Sequence, residues 1–294
     1  MNTFEFAPRE LPAVMRGPRV ERRRVLQGGT PCWGTVVDGG RLRLDDGREV
    51  ALEGLMHLPP CEPSKIIAVH LSYSSRGIES RNLPKPTPTP TYFSKPTTAL
   101  NGHGGEIVKP ADCRYLNYEG EFAVVIGSVC RNVTPDEAWE HMLGFAPALD
   151  MGLQDFRDTD QGSMLRVKGA DTLLPIGPGI VRGVNLFEQT LRTYVNGRVV
   201  QEAHIGEETI WGLALRDRRH RPPHHAAAWQ RDPDGHALSL AQRRPRADGG
   251  VRDHRHRPTG RHRDGHRCAA CLGAGRGPST HRQRRSAPRR ARLR

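Results

Sequence analysis

Charge divides this chain into two unlike parts, and the division limits where a core can form. Residues 1–210 hold 23 Lys+Arg against 26 Asp+Glu, a net of −3, whereas residues 211–294 hold 22 against 6, a net of +16. From Arg216 onward there is no Lys, Glu, Ile, Phe, Tyr, Asn or Met, and nine of the 14 His lie after position 210. A segment so poor in large apolar side chains buries too little surface to offset the entropy of ordering it. No apolar periodicity runs through it. The expectation is a folded part over residues 1–215 followed by a disordered Arg/His-rich tail over 216–294.

The whole-chain charge of +13 invites a nucleic-acid reading. Arginine-rich segments attract phosphate, but no aromatic platform for base stacking accompanies these, since Trp229 stands alone among them. Cys268 and Cys271, with His262, His266 and His281 nearby, suggest a zinc set. Chance placement in a His/Arg-rich string explains them better. No apolar run is long enough to span a membrane, the N-terminus shows no secretory apolar segment, and scattered cysteines fit reduced thiols in a cytoplasm.

Within the folded part the most informative stretch is Tyr118-Glu-Gly-Glu-Phe-Ala-Val-Val-Ile-Gly127. Its short apolar run with β-branched residues, closed by glycine, predicts a strand. Side chains at i and i+2 share a face, so Glu119 and Glu121 point the same way. Gly120 between them allows something to approach the backbone closely. Two carboxylates side by side repel unless water screens them or a cation lies between them. The pair is therefore either a solvated acidic face or two oxygen ligands for a hard cation such as Mg²⁺.

Around this strand the chain reads mostly as further strands. Residues 1–60 form a small β-rich unit with turn signals at Asp38-Gly39-Gly40 and Asp45-Asp46-Gly47. After the linker Pro59-Pro60 comes the strand Ile66–Val69. A proline-rich loop over 84–90 follows, and the strand Thr91–Lys95 is stopped by Pro96. Thr134-Pro135-Asp136-Glu137 starts a helix running to about His141–Leu143, with an N-cap threonine and proline at the first helical position. A strand Phe145–Leu149 ends in Asp150, Lys168 and Asp171 sit on a loop, and Asn196-Gly197 predicts a hairpin.

YEGEFAVVIG, the Asp150 segment and KGADTLLPIGP, in this order and spacing, resemble the fumarylacetoacetate hydrolase family over roughly residues 60–215. The resemblance is nearest to its isomerase/decarboxylase branch of homoprotocatechuate breakdown, which acts on 2-hydroxyhepta-2,4-diene-1,7-dioate and related acids. It implies an α+β, mostly β fold, a mixed β-sandwich or roll with few helices. Residues 61–215 would be its catalytic domain, incomplete as written. It also implies a divalent metal, Mg²⁺ or Mn²⁺, on Glu119, Glu121 and Asp150, with Lys168 as the active-site lysine. That lysine would meet a substrate carboxylate or enolate as a point charge. Lys95, Arg76, Arg157 and Asp155 are the expected substrate-side residues, Asp155 matching a supporting acid in the family pattern. The implied partner is a small keto/enol dicarboxylate, and the intact protein would be a homodimer.

Two positions depart from the family. Its hydrolases carry a His-x-x-Glu pair that activates water, and here that slot is Arg76-Gly77-Ile78-Glu79. Arginine stays protonated and cannot act as the base. This favours isomerase, decarboxylase or hydratase-type chemistry over acylpyruvate or fumarylpyruvate hydrolysis, with Glu79 as the proton carrier. The family also has Asn before the metal-binding Asp, where this chain has Leu149. The tail carries a third signal. Back-translated with GC-rich codons and shifted by one base, residues 228–238 give PGNVILTGTP, close to the family's PGDVILTGTP. A frameshift near Leu215 follows as an expectation.

Overall fold

The computed structural model describes residues 10–38, 40–74, 90–160, 162–210 and 212–213, together with the backbone of 237–241 and 268–274. Its N-terminal strands are β1 (Val20–Gln27), β2 (Thr30–Asp38), β3 (Arg41–Leu44), β4 (Glu49–Ala51) and β5 (Met56–His57). Next come β6 (Lys65–His70), β7 (Thr91–Lys95), β8 (Leu100–Asn101), β9 (Leu116–Asn117) and β10 (Gly120–Ile126). They are followed by β11 (Met142–Leu149), β12 (Gly152–Leu153), β13 (Leu174–Pro175), β14 (Gly179–Arg182), β15 (Gln189–Val195) and β16 (Arg198–His204). The last two are β17 (Ala237–Ala241) and β18 (Cys268–Ala274). The described helices are single turns, so the fold is α+β and mostly β.

One large sheet runs β4-β3-β2-β1-β14-β11-β10-β17-β6-β7, with β5 added beside β1. The N-terminal strands join it through β1, which pairs antiparallel with β14 from Val20↔Arg182 to Arg23↔Gly179. At its centre β10 is buried along its whole length. Alternation splits its side chains between two cores. Phe122, Val124 and Ile126 pack with Phe145, Leu186 and Leu191 on one face. Ala123 and Val125 pack with Ile66, Ala68, Phe93 and Ala148 on the other. Glu119 and Glu121 continue the second series, so the carboxylates belong to the face where β6 and β7 also turn their inward residues.

Local signals in the sequence produce several of these elements. The hairpin β15–β16 turns at Asn196 and Gly197, with φ of 51° and 76°, the left-handed pair that this dipeptide supplies cheaply. Thr134 caps Pro135–Ala138 in a capping box with Glu137. That α-helix is one turn, however, and Trp139–His141 continues as a 3₁₀ turn before β11 begins at Met142. The strand's pairing with β10 takes over where a longer helix was expected.

Two short tail segments contribute backbone to the described sheets. β17 lies between β10 and β6, antiparallel to the first and parallel to the second. β18 pairs with β15. Edges of buried strands carry backbone groups that must be hydrogen bonded. Ala237-Leu-Ser-Leu-Ala241 is one of the short stretches of the tail without charge or proline, and it satisfies the edges of both neighbours. No helix among the described residues is long and apolar enough to cross a membrane.

Where β5 meets the turn after β8, His57 and His103 stack edge to face with ring centroids 5.4 Å apart. Arg23 Nη1 lies 3.2 Å from His57 Nε2, and Glu21 pairs with Arg23. Burial, then His103 and Arg23, push the His57 pKa down to about 4. A neutral imidazole is thus favoured by the folded state, and its contribution is complete above the unfolded value near 6.5. It is lost as pH falls from there through about 4. Urea midpoints are expected to drop over that window, and His57→Gln is expected to make the drop shallower.

Candidate active site

The site forms where β10 and β11 begin and end. Their register pairs Gly120 with Leu149 and Glu121 with Ala148. One step further, the Asp150 amide donates to the Glu119 carbonyl at 2.8 Å, so Glu119 and Asp150 are cross-strand neighbours. Leu149 takes the opposite face and packs with Met151, Leu153 and Leu173. The leucine before Asp150 thus supports the strand from its apolar side. Glu119, Glu121 and Asp150 are all fully buried.

Two lysines reach these carboxylates. Lys168 Nζ donates to Glu119 Oε2 at 2.6 Å and to the Asp150 carbonyl at 3.1 Å, and lies 3.0 Å from Asp150 Oδ2. Lys95 Nζ donates to Asp150 Oδ1 at 2.5 Å and to the Leu173 carbonyl at 3.4 Å. Lys95 follows Phe93 by two on β7, and the pattern exposed-exposed-buried-exposed-buried along Thr91–Lys95 puts both inward. Its ammonium is therefore buried with the carboxylates.

Lys168 does not sit on a loop. It ends a one-turn helix, Leu165–Lys168, which starts after Met164 at φ 59°. Asp160 holds the start of that turn, its Oδ2 accepting from the amides of Arg166 and Val167 at 3.0 and 3.1 Å. A methionine in the left-handed region and an acid five residues upstream leave no periodic signal, which is why the sequence pattern reads as loop.

Burial and charge compete at these groups. For Asp150, burial opposes ionisation, but Lys168 and Lys95 together outweigh it and hold the carboxyl below its ordinary range. For Lys168, burial opposes the charge, while Asp150 and Glu119 more than restore it, so its pKa rises. For Lys95, burial wins over Asp150, with Lys168 adding repulsion, and its pKa falls.

Two further expected residues, Asp155 and Arg157, are among the described ones. Asp155 is spent on the backbone: its Oδ2 accepts from the amides of Arg114 and Tyr115 at 2.8 and 2.7 Å and from Cys113 Sγ at 3.3 Å. It clamps the loop leading to β9. Arg157 is exposed at the end of the 3₁₀ turn Gln154–Phe156. Arg76 and Glu79 lie outside the described residues. Asn117 escaped the sequence reading although it stands two residues before Glu119, on the same face of extended chain.

Gly120 has a visible reason to be glycine. A Cβ there would lie 1.9 Å from Thr193 Oγ1, where β15 crosses, and its amide donates to Gln201 Oε1 at 2.8 Å. Gly120→Ala is expected to destabilise the fold by about 1–3 kcal/mol through overpacking. A urea unfolding curve reads this directly, and an unchanged midpoint would show that β15 yields freely.

Among the described residues no three His, Cys, Asp or Glu side chains form a group arranged to hold a metal ion; the Lys168 ammonium bridges Glu119 and Asp150. The donor chemistry still suits a hard cation, because the buried acids on this face are all carboxylates and Mg²⁺ or Mn²⁺ prefers oxygen ligands.

Comparison with known proteins follows the same boundaries. A family model described as fumarylacetoacetate (FAA) hydrolase C-terminal matches residues 65–214, just over half of the chain. The chain belongs to the FAA hydrolase family. The match ends next to the point where the composition changes. An "uncharacterized protein" of Archaeoglobus fulgidus is 39% identical over 181 residues, covering 62% of this chain and 71% of that protein. The 4-hydroxyphenylacetate degradation bifunctional isomerase/decarboxylase of Salmonella dublin is 34% identical, over 66% of this chain and 43% of that enzyme. The chain thus spans less than half of this second relative. The crystal structure of 5-carboxymethyl-2-hydroxymuconate delta-isomerase from Mycobacterium smegmatis superposes with a TM-score of 0.63 at 28% identity, covering 76% of this chain and 87% of that one.

Proposed function

We propose that this FAA hydrolase family chain carries the site of a divalent-metal-dependent isomerase/decarboxylase acting on 2-hydroxymuconate-type or β-keto dicarboxylic acids. The observation that carries this reading is the buried cluster in which Lys168 spans Glu119 and Asp150 while Lys95 holds the other oxygen of Asp150. The isomerase and isomerase/decarboxylase relatives support the choice of a 2-hydroxymuconate-type acid. Glu119, Glu121 and Asp150 would hold the cation. Bound there, Mg²⁺ or Mn²⁺ would polarise a substrate oxygen as a Lewis acid.

The chain's own residues set the rest. Lys168 and Lys95 bring two positive charges into the buried cluster, where they favour a substrate carboxylate and the negative charge that develops on an enolate. Neither lysine needs to move far, because each is already held by a carboxylate. Asp150, gripped by both, cannot rotate away. Glu79 is the proposed proton carrier, and Arg76, three residues before it in the sequence, would bind a substrate carboxylate and cannot serve as a base.

The tail belongs to this reading. The family match stops at residue 214, and Lys, Glu and five other residue types vanish from residue 216. A gene read out of frame from near codon 215 accounts for both. The test is a substrate comparison on protein from the frame-restored gene with Mg²⁺. Turnover of a keto–enol or β-keto dicarboxylate is expected, with acylpyruvates left nearly intact. Efficient metal-dependent hydrolysis of acetylpyruvate would overturn the assignment.

A further inference from the structure

We infer that Asn117 is a positioning residue that orients the Glu119 carboxylate; the inference rests on the reading of the Glu119–Asp150–Lys168 cluster as the reacting centre. Asn117 is 3% exposed. Its Nδ2 donates to Glu119 Oε1 at 2.9 Å, while Lys168 donates to Glu119 Oε2 at 2.6 Å. The two oxygens of one carboxylate are thus held by two donors of different kind, an amide and an ammonium. Together they fix the plane in which the carboxylate presents its remaining lone pairs.

The orientation of the amide follows from chemistry. An ionised carboxylate only accepts, so the NH₂ end of Asn117 must face Glu119. The oxygen end is then free to accept from Tyr115 Oη, at 3.4 Å. The backbone that carries Asn117 is itself fixed. Gly152 pairs with it across β12, the Gln154 amide donates to the Tyr115 carbonyl at 3.0 Å, and Asp155 holds the amides of Arg114 and Tyr115. Asp155 therefore acts on the site through the loop that delivers Asn117.

Residue type matters here. Aspartate has the same shape but no donor, and it would set a further negative charge against Glu119. Leucine has similar bulk and neither donor nor acceptor. Asparagine supplies a donor without altering the charge of a cluster in which every acid is buried. Hydrogen-bond partners of ligating side chains of this kind typically change metal affinity by about 10–100-fold when removed.

The experiment uses the full chain with two readouts. Free Mn²⁺ is titrated by its electron paramagnetic resonance signal against the parent chain and Asn117→Leu. The variant is expected to bind about tenfold or more weakly. Parent-like binding by Asn117→Leu, which keeps the bulk but has no donor, would show that only packing matters and would overturn the inference. Thermal unfolding is then followed for Asn117→Leu, Glu119→Ala and the double variant. If Asn117 acts through Glu119, its replacement lowers the midpoint in the parent and has no further effect in the Glu119→Ala background. Equal losses in both backgrounds would overturn the inference. Should the parent bind no Mn²⁺, the metal reading of the site fails, while the thermal cycle still decides whether Asn117 works through Glu119.

Discussion

Lys168→Met is expected to cost the folded state about 3–5 kcal/mol, the usual penalty for removing one partner of a buried ion pair. The side chain is fully buried and spans two fully buried acids. Methionine fills similar space but leaves Glu119 without its ammonium and takes one of the two lysines from Asp150. The cost is mainly the stranded charge, not the lost attraction, so Lys168→Met with Glu119→Gln is expected to recover much of it. The contrast is on the surface. Arg43, more than half exposed and paired with Glu49, is expected to lose no more than about 1 kcal/mol on replacement by alanine. Urea unfolding of the three variants measures this. A Lys168→Met loss as small as that of Arg43→Ala would mean that the cluster is wet or that its carboxylates are protonated.

On the proposed reading of a frameshift near codon 215, restoring the frame is expected to have the largest effect on function, from no turnover to turnover. In the chain as written the slot between β10 and β6 is filled by five residues, Ala237–Ala241, reached through a long Arg/His-rich connection. Ordering such a connection is costly and brings little apolar burial in return. A strand supplied by a sequence with a regular apolar pattern would hold β10, and with it Glu119 and Glu121, more firmly. The repaired chain is therefore expected to show a higher thermal midpoint and Mg²⁺-dependent turnover, while the chain as written shows neither. Limited proteolysis with sequencing of the gene checks the premise. A protease-resistant tail and an uninterrupted frame in close relatives of the gene would contradict it.

How much of this was legible in the sequence depended on how local each cause was. The β10 strand, the Asn196-Gly197 turn and the Thr134 cap rest on signals within a few residues, and each appears where expected. The grouping of Glu119, Asp150 and Lys168 was legible only through the family resemblance, since 49 residues separate Glu119 from Lys168. The burial of Lys95 was not legible, because a lysine at a strand end before proline has the pattern of a solvated one. Its place two residues after Phe93 on β7, once that strand is paired with β6, turns it inward. Asp155 was expected as a supporting acid from the family resemblance, which marks its position but not its direction. In the folded chain its carboxylate turns toward the amides of Arg114 and Tyr115. The joining of β1 to β14 is a contact across more than 150 residues and had no local signal. The two tail strands carry no periodic signal either, and their pairings with β10, β6 and β15 are all long-range.

The most direct test of the site is a Mn²⁺ titration of the full chain and of its Asp150→Asn variant, read by the electron paramagnetic resonance signal of the free ion. The expected result is saturable binding by the parent chain that Asp150→Asn abolishes, since Asp150 is the acid that Lys95 and Lys168 hold in place. Absence of saturable binding, or binding that Asp150→Asn leaves unchanged, would contradict the assignment of these carboxylates to a divalent cation.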